Sequence, residues 1–144
     1  AEGGSGGASL RFADEQRLLQ VANSSDKAAE LQQLRLADHH WISGEALLTA
    51  ASRFHALREL SLRGTWATDR VVATFCAHSP GLQRLDVGDC DLTDLAPVAR
   101  LHDLREFRAP RCVSAVTPEL CAALASSRRL EVLDISSCHQ VTSE

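Results

Sequence analysis

The residues with the most chemical reach in this 144-residue chain are five cysteines, at positions 76, 90, 112, 121 and 138, and six histidines. A thiolate nucleophile needs a base within hydrogen-bond reach and a third group to orient that base, gathered where water is excluded. Cys138 is followed by His139, and one alanine separates Cys76 from His78, yet no histidine recurs beside Cys90, Cys112 and Cys138 together. Both Cys-His pairings lack the C-x-x-C spacing of a structural zinc site. His39 and His40 read as one turn residue and one exposed residue rather than as a ligand pair. The sequence holds no phosphate-binding glycine loop, no dinucleotide-binding glycine pattern and no H-E-x-x-H. The expectation is a protein without catalytic residues, cofactor, metal or small-molecule substrate, whose cysteines are structural.

Composition narrows the partners. Fifteen Lys and Arg against nineteen Asp and Glu leave a formal net charge of −4, so a nucleic-acid partner is not expected without a local basic patch. No apolar run approaches the roughly 18 residues of a membrane span, and no signal peptide is visible, so no membrane role is expected. An odd set of cysteines spread through apolar segments suits thiols in the cytoplasm or another reducing compartment, with one or two disulfides left open. The chain has no Met and begins on a Gly-rich leader, the pattern of a processed chain or excised fragment whose targeting signals lie out of view.

The elements that must position any site are visible first in Leu82 to Leu104. Leu85 and Val87 alternate as in a strand, while Leu95, Val98 and Leu101 step as in a short helical turn. Asp91-Leu92-Thr93-Asp94 stands between them, where Thr or Asp can cap the second element. The unit recurs. An L-x-x-L-x-L segment or near variant starts at 31, 57, 82, 104 and 130, at intervals of 26, 25, 22 and 26 residues. The chain therefore divides into a flexible Gly/Ser-rich leader over 1–9, a degenerate capping repeat over 10–30 and repeats over 31–144, the last incomplete. In the cap, Leu10 to Phe12 alternates as a strand, 14–22 reads as a helix, and 23–26 reads as a break.

The returns are predicted as helices over 44–54 and 69–78, a short one held back by Pro97, and one opened by Thr117-Pro118-Glu119 with Leu120, Cys121 and Leu124 facing inward. A stacked repeat has its apolar edge covered by a neighbour or cap. Leu133, Ile135 and Val141 are thus expected to be partly bare, with further chain, a partner or a neighbouring copy covering them.

The ninth position of each repeat, His39, Thr65, Cys90, Cys112 and Cys138, points into the turn after the strand and must satisfy backbone groups there. With the L-x-x-L-x-L starts, this pattern resembles the leucine-rich repeat family over residues 31–144. The cysteines, and the hydrophobic-Thr-Asp turn at Leu92-Thr93-Asp94, are similar to the cysteine-containing subfamily; His39 and Thr65 depart from it. The 22-residue third repeat is more similar to the short repeats of internalins and a phosphatase regulatory subunit. The resemblance implies an α/β fold: a curved leucine-rich repeat solenoid of about five repeats, with an inner parallel β-sheet and outer helices. It further implies a non-catalytic protein–protein interaction module, a scaffold or subunit of a larger assembly. The alternative is the substrate-recognition part of an F-box-type ubiquitin ligase receptor, which requires chain beyond residues 1–30, since no F-box helices are visible there.

The candidate binding residues lie on the strand side chains that point away from the helices. Position five supplies Arg35, Ser61, Asp86, Arg108 and Asp134; position three includes Arg84 and Glu106; position seven includes Arg63. The sign alternates, which suits a protein partner of matched charge, or else simply a solvated face of internal ion pairs. Trp41 and Trp66 follow position nine and align once a one-residue deletion in the second repeat is allowed. They serve either as rim contacts beside the concave face or as apolar plugs of the turn.

Overall fold

Each L-x-x-L-x-L segment becomes a short strand in the computed structural model, which describes residues 8–11, 15–39, 41–112 and 114–136. Six strands form one parallel sheet in chain order: β1 (Ala8–Arg11), β2 (Leu31–Arg35), β3 (Glu59–Ser61), β4 (Arg84–Asp86), β5 (Glu106–Arg108) and β6 (Val132–Asp134). Pairing is in register at the fourth position of each repeat, from Leu34 through Leu60, Leu85 and Phe107 to Leu133. The residues read as a degenerate first repeat extend this order, because Leu10 of β1 pairs with Leu34. Parallel neighbours require a crossover, and each return supplies one.

The crossovers are α1 (Glu15–Ala22) with α2 (Ser25–Glu30), α3 (Gly44–Arg53), α4 (Asp69–His78), a 310 helix over Ala96–Arg100, and α5 (Pro118–Ala125). Three of them start in the same way. The hydroxyls of Ser43, Thr68 and Thr117 accept from the backbone N–H groups of Ala46, Val71 and Leu120 at 3.1, 3.3 and 3.1 Å. Pro97 and only 22 residues of repeat leave room for no more than the 310 turn. Its first N–H, on Ala96, is taken by the Asp94 carboxylate at 2.9 Å, the capping role expected of that loop.

The interior is a stack of equivalent layers. Leu31, Leu34 and Leu36 of one repeat lie over Leu57, Leu60 and Leu62 of the next, then Leu82, Leu85 and Val87, all buried. Phe54, Phe75 and Phe107 are fully buried between sheet and helices. Loss of such a ring by truncation to alanine costs about 3–5 kcal/mol. Ser79, just past the end of α4, is itself buried, and its hydroxyl donates to the Phe54 carbonyl at 2.8 Å. It thereby satisfies the residue that ends α3 in the repeat before, a net contribution of about 1 kcal/mol.

Four expectations change. The first strand starts at Ala8, so Ala8 and Ser9, expected in the leader, belong to β1, where they pair with Leu31 and Gln33. The break over 23–26 is confined to Asn23 and Ser24, and α2 follows it, because Asp26 lies in a helical first turn, where a carboxylate is favourable, and Ala28 is buried. Cys121 is only partly buried, since Leu120 and Leu124, one turn apart, take the inner side of the short α5. Phe54 lies just outside α3, as its C-terminal cap. At the last strand Leu133 is 40% exposed, as expected of an uncovered layer, whereas Val141 lies outside the described residues. No described helix is long and apolar enough to cross a membrane.

Leu85 is buried at the centre of the register. Leu85→Asp places an unpaired carboxylate there, at a cost of several kcal/mol, and is expected to abolish cooperative thermal unfolding followed by circular dichroism. A melting curve like the parent's would show that the register is wrong.

Candidate protein-binding surface

The side chains at positions three and five alternate with the buried leucines and point out of the sheet on the side away from the helices, because successive residues of a strand face opposite ways. The register lines them up into rows. Arg35 pairs with Glu59 at 3.0 Å, Glu59 with Arg84 at 2.5 Å, Arg84 with Glu106 at 3.5 Å, Glu106 with Arg108 at 3.6 Å and Arg108 with Asp134 at 3.8 Å. One continuous chain of alternating charge thus runs from β2 to β6. Its hub is Glu59, the most enclosed member at 18% side-chain exposure, held between two guanidinium groups. An open depression of about 310 Å³ lies among Arg35, Glu59, Arg84 and Arg108, with Leu60 and Leu85 in its lining.

A second row sits one step along, where the strands turn. Arg63 lies 3.7 Å from Asp86 and 3.9 Å from Asp89, and Asp89 makes a two-pronged pair with Arg111, one arm at 2.7 Å. The Arg63 Nε is buried and makes no hydrogen bond among the described residues. Asp86 and Asp134 also brace their own turns, accepting from the backbone N–H of Gly88 at 2.9 Å and of Ser136 at 3.1 Å. The structure therefore brings Arg35, Arg63, Arg84, Asp86, Glu106, Arg108 and Asp134 onto one side of the sheet, as their positions predicted. Glu59, Asp89 and Arg111 join them without having been singled out. Glu59 was discernible from its place at position three. Asp89 and Arg111 occupy position eight, which carried no apolar signature.

The two tryptophans are both on the surface, Trp41 at 58% and Trp66 at 66% exposure. The turn is plugged by the residue that follows each, Ile42 and Ala67, both buried, which also confirms the one-residue offset between the two repeats. Trp41 is tilted against the His39 ring at a centroid distance of 5.0 Å.

Position nine behaves as a donor to turn carbonyls. The Thr65 hydroxyl donates to Leu62 O at 2.7 Å, the Cys90 thiol to the same oxygen at 3.0 Å, and the Cys112 thiol to Val87 O at 3.1 Å; His39 Nδ1 lies 3.0 Å from Ala37 O. Burial pushes the Cys76 thiol up to about 12 and raises that of Cys90 as well. Both are thus poor thiolates at neutral pH. Among the described residues no three His, Cys, Asp or Glu side chains gather as metal ligands. Cys138, His139 and His40 lie outside the described residues.

No protein-family model and no curated protein matches this sequence. Among solved structures, the chain is similar to the tropomodulin C-terminal domain of Caenorhabditis elegans, with a TM-score of 0.65 at 20% identity, over 85% of this chain and 83% of that one. The fold is a leucine-rich repeat fold. A likeness at that identity carries the repeat architecture and leaves the surface to be read on its own terms.

Two measurements follow from this geometry. Partial burial acts to raise the carboxyls of Glu59 and Asp69, but hydrogen bonds from Arg84 and Arg35 to Glu59, and from Thr93 and Asp94 to Asp69, outweigh it and hold both below their ordinary values of 4.5 and 3.8. The Arg111 hydrogen bond lowers Asp89, and the Ser136 backbone and hydroxyl lower Asp134. A lowered folded value means stability that is complete above the unfolded value and lost as pH falls through the folded one. The melting temperature should therefore stay level above about pH 5 and decline below it, and Glu59→Gln should flatten the decline; an unchanged acid limb in that variant would show that Glu59 is not a hub. Separately, a thiol reagent at mildly alkaline pH should leave Cys76 and Cys90 unmodified until denaturant is added, as read by peptide mass spectrometry. Rapid labelling of either in the folded chain would revive a thiolate enzyme.

Proposed function

We propose that this chain is a non-catalytic protein-binding module that engages a protein partner through the open strand face and the adjoining loop rim, as a scaffold or subunit of a larger assembly. The observation that carries this reading is the uncovered network from Arg35 to Asp134, in which charged side chains stand in fixed order on a rigid sheet. Exposed ion pairs contribute roughly 0–1 kcal/mol each to stability. Folding alone therefore gives little reason for a run of this length. Internal pairing does hold the arginines extended, so that a partner meets ordered guanidinium groups and loses less side-chain entropy on binding. In this reading the strand face is the concave side of a curved solenoid, and the C-terminal edge at Leu133 is covered in the assembly by a partner, a neighbouring copy or further chain. The thiols of Cys90 and Cys112, bonded to turn carbonyls, and the Thr93-Asp94 turn, bonded to Asp69, favour a place in the cysteine-containing subfamily.

The test is a cross-linking capture with the parent and with a variant carrying Arg63→Glu, Arg108→Glu and Trp66→Ala. Arg63 and Arg108 lie on the solvent side of the sheet and Trp66 on the rim, so the variant should melt within about 1–2 kcal/mol of the parent. The expected result is one set of proteins captured by the parent and lost with the folded variant. Identical sets from both would move binding to the helices or the sheet edge and overturn the assignment.

A further inference from the structure

Trp66 is the most exposed large apolar side chain among the described residues, and the loop that carries it leaves it little freedom to withdraw. On one side Thr65 is buried and bonded to Leu62 O; on the other Ala67 is buried and Thr68 caps α4. Gly64 holds the turn in the left-handed region at φ +72°, and its N–H donates to Gly88 O at 3.0 Å. An indole presented to water from a fixed frame marks a contact site, since it offers a large apolar face that needs no ordering when a partner arrives.

The ground beside it selects the partner. A depression of about 510 Å³ next to the indole is lined by Asp38 from the repeat before and by Asp89 and Asp91 from the repeat after, with Thr68 at its side. Asp38 abuts the Trp66 loop closely: a Cβ at Gly64 would stand 2.8 Å from its Oδ1. Asp89 is already matched by Arg111 and Arg63, whereas among the described residues no cation pairs with Asp38 or Asp91. Two carboxylates without counter-charge beside a tryptophan face repel phosphate and favour a cation. Tryptophan is also the aromatic side chain that attracts a cation most strongly. Trp41 offers no comparable ground, since its ring lies against His39.

We propose that this depression receives an arginine side chain from a basic segment of a protein partner, with the guanidinium flat on the Trp66 indole and donating to Asp38 and Asp91. This rests on the protein-binding reading above and names the chemistry of its rim. Arginine is favoured over lysine because a planar guanidinium can stack on the ring and keep its edge donors for both carboxylates.

The experiment titrates the 15N-labelled chain with a capped Gly-Arg-Gly-Arg-Gly peptide and, in parallel, its Glu counterpart. The reporters are the Trp66 indole N–H and the backbone amides of Gly64 and Ala67. The arginine peptide should shift these signals saturably and the Glu peptide should not. Asp38→Asn with Asp91→Asn should weaken binding by at least about fivefold and remove most of its salt dependence, in a chain that still melts like the parent, because asparagine tolerates the left-handed backbone of Asp38. No saturable shift at Trp66, or equal affinity in the double asparagine variant, would overturn the proposal. If that happens while the capture variant still loses its partner, only the arginine site fails; if capture is indifferent to every variant, the protein-binding reading fails with it.

Discussion

Every repeat depends on one backbone event, the reversal of the chain just after the strand. Asp38, Gly64, Asp89 and Arg111, the eighth residues of four successive repeats, all adopt φ between 61° and 72°. That left-handed conformation turns the backbone N–H of each toward the next repeat, where it donates to the carbonyl of Arg63, Gly88, Pro110 and Ser136 at 2.7 to 3.0 Å. The parallel ladder thus continues past the strands and into the turns. Three of the four residues bear a side chain in a region that disfavours one, at a cost of about 1–2 kcal/mol each. The column of hydrogen bonds offsets part of that cost, at about 1 kcal/mol each. Arg111 offsets part of it through its pair with Asp89, the same position one repeat earlier.

The same stacking ties the outer returns together by charge. Asp69, in the first turn of α4, accepts from the N–H of Thr93 at 2.8 Å and of Asp94 at 3.1 Å, and also from the Thr93 hydroxyl. Glu15, in the first turn of α1, does the same for the N–H of Ser43 at 2.9 Å. In both cases an acidic residue at a helix start reaches the loop that opens the next return. Position nine performs the inner counterpart, where Thr65, Cys90 and Cys112 give their protons to turn carbonyls. Any hydroxyl or thiol of that size suffices, which explains why threonine substitutes for cysteine there without change of path. Most outward strand side chains pair with one another across the sheet, while Asp86 and Asp134 also brace the turns that follow them.

The fold was legible because its main signals are local and periodic. Leucine spacing announces the strands, Thr117 with Pro118 and Glu119 announces the last helix start, and Pro97 announces the one return that stays short, whereas the caps at Ser43 and Thr68 emerge only in the structure. The outward rows were legible for the same reason, since a strand's alternation fixes which side chains leave the core. The binding surface was less so. Trp41 and Trp66 could plug the turn or stand on the rim, and only the burial of Ile42 and Ala67 decides that the plug is the next residue. The Asp38, Asp89 and Asp91 grouping was invisible because Asp38 comes from one repeat and Asp89 and Asp91 from the next but one, and none follows an apolar period.

The sequence by itself determined the repeat lengths, the buried rows and the last helix cap, all of which depend on contacts within a few residues or on a pattern repeated in register. Tertiary structure alone decided how the charges divide. Glu59 serves Arg35 and Arg84 together, Asp89 serves Arg111 and Arg63, and among the described residues Asp38 and Asp91 meet no cation. These ion pairs form between residues 22 to 26 positions apart, whose separation is set by repeat length and turn shape and not by their neighbours in the chain.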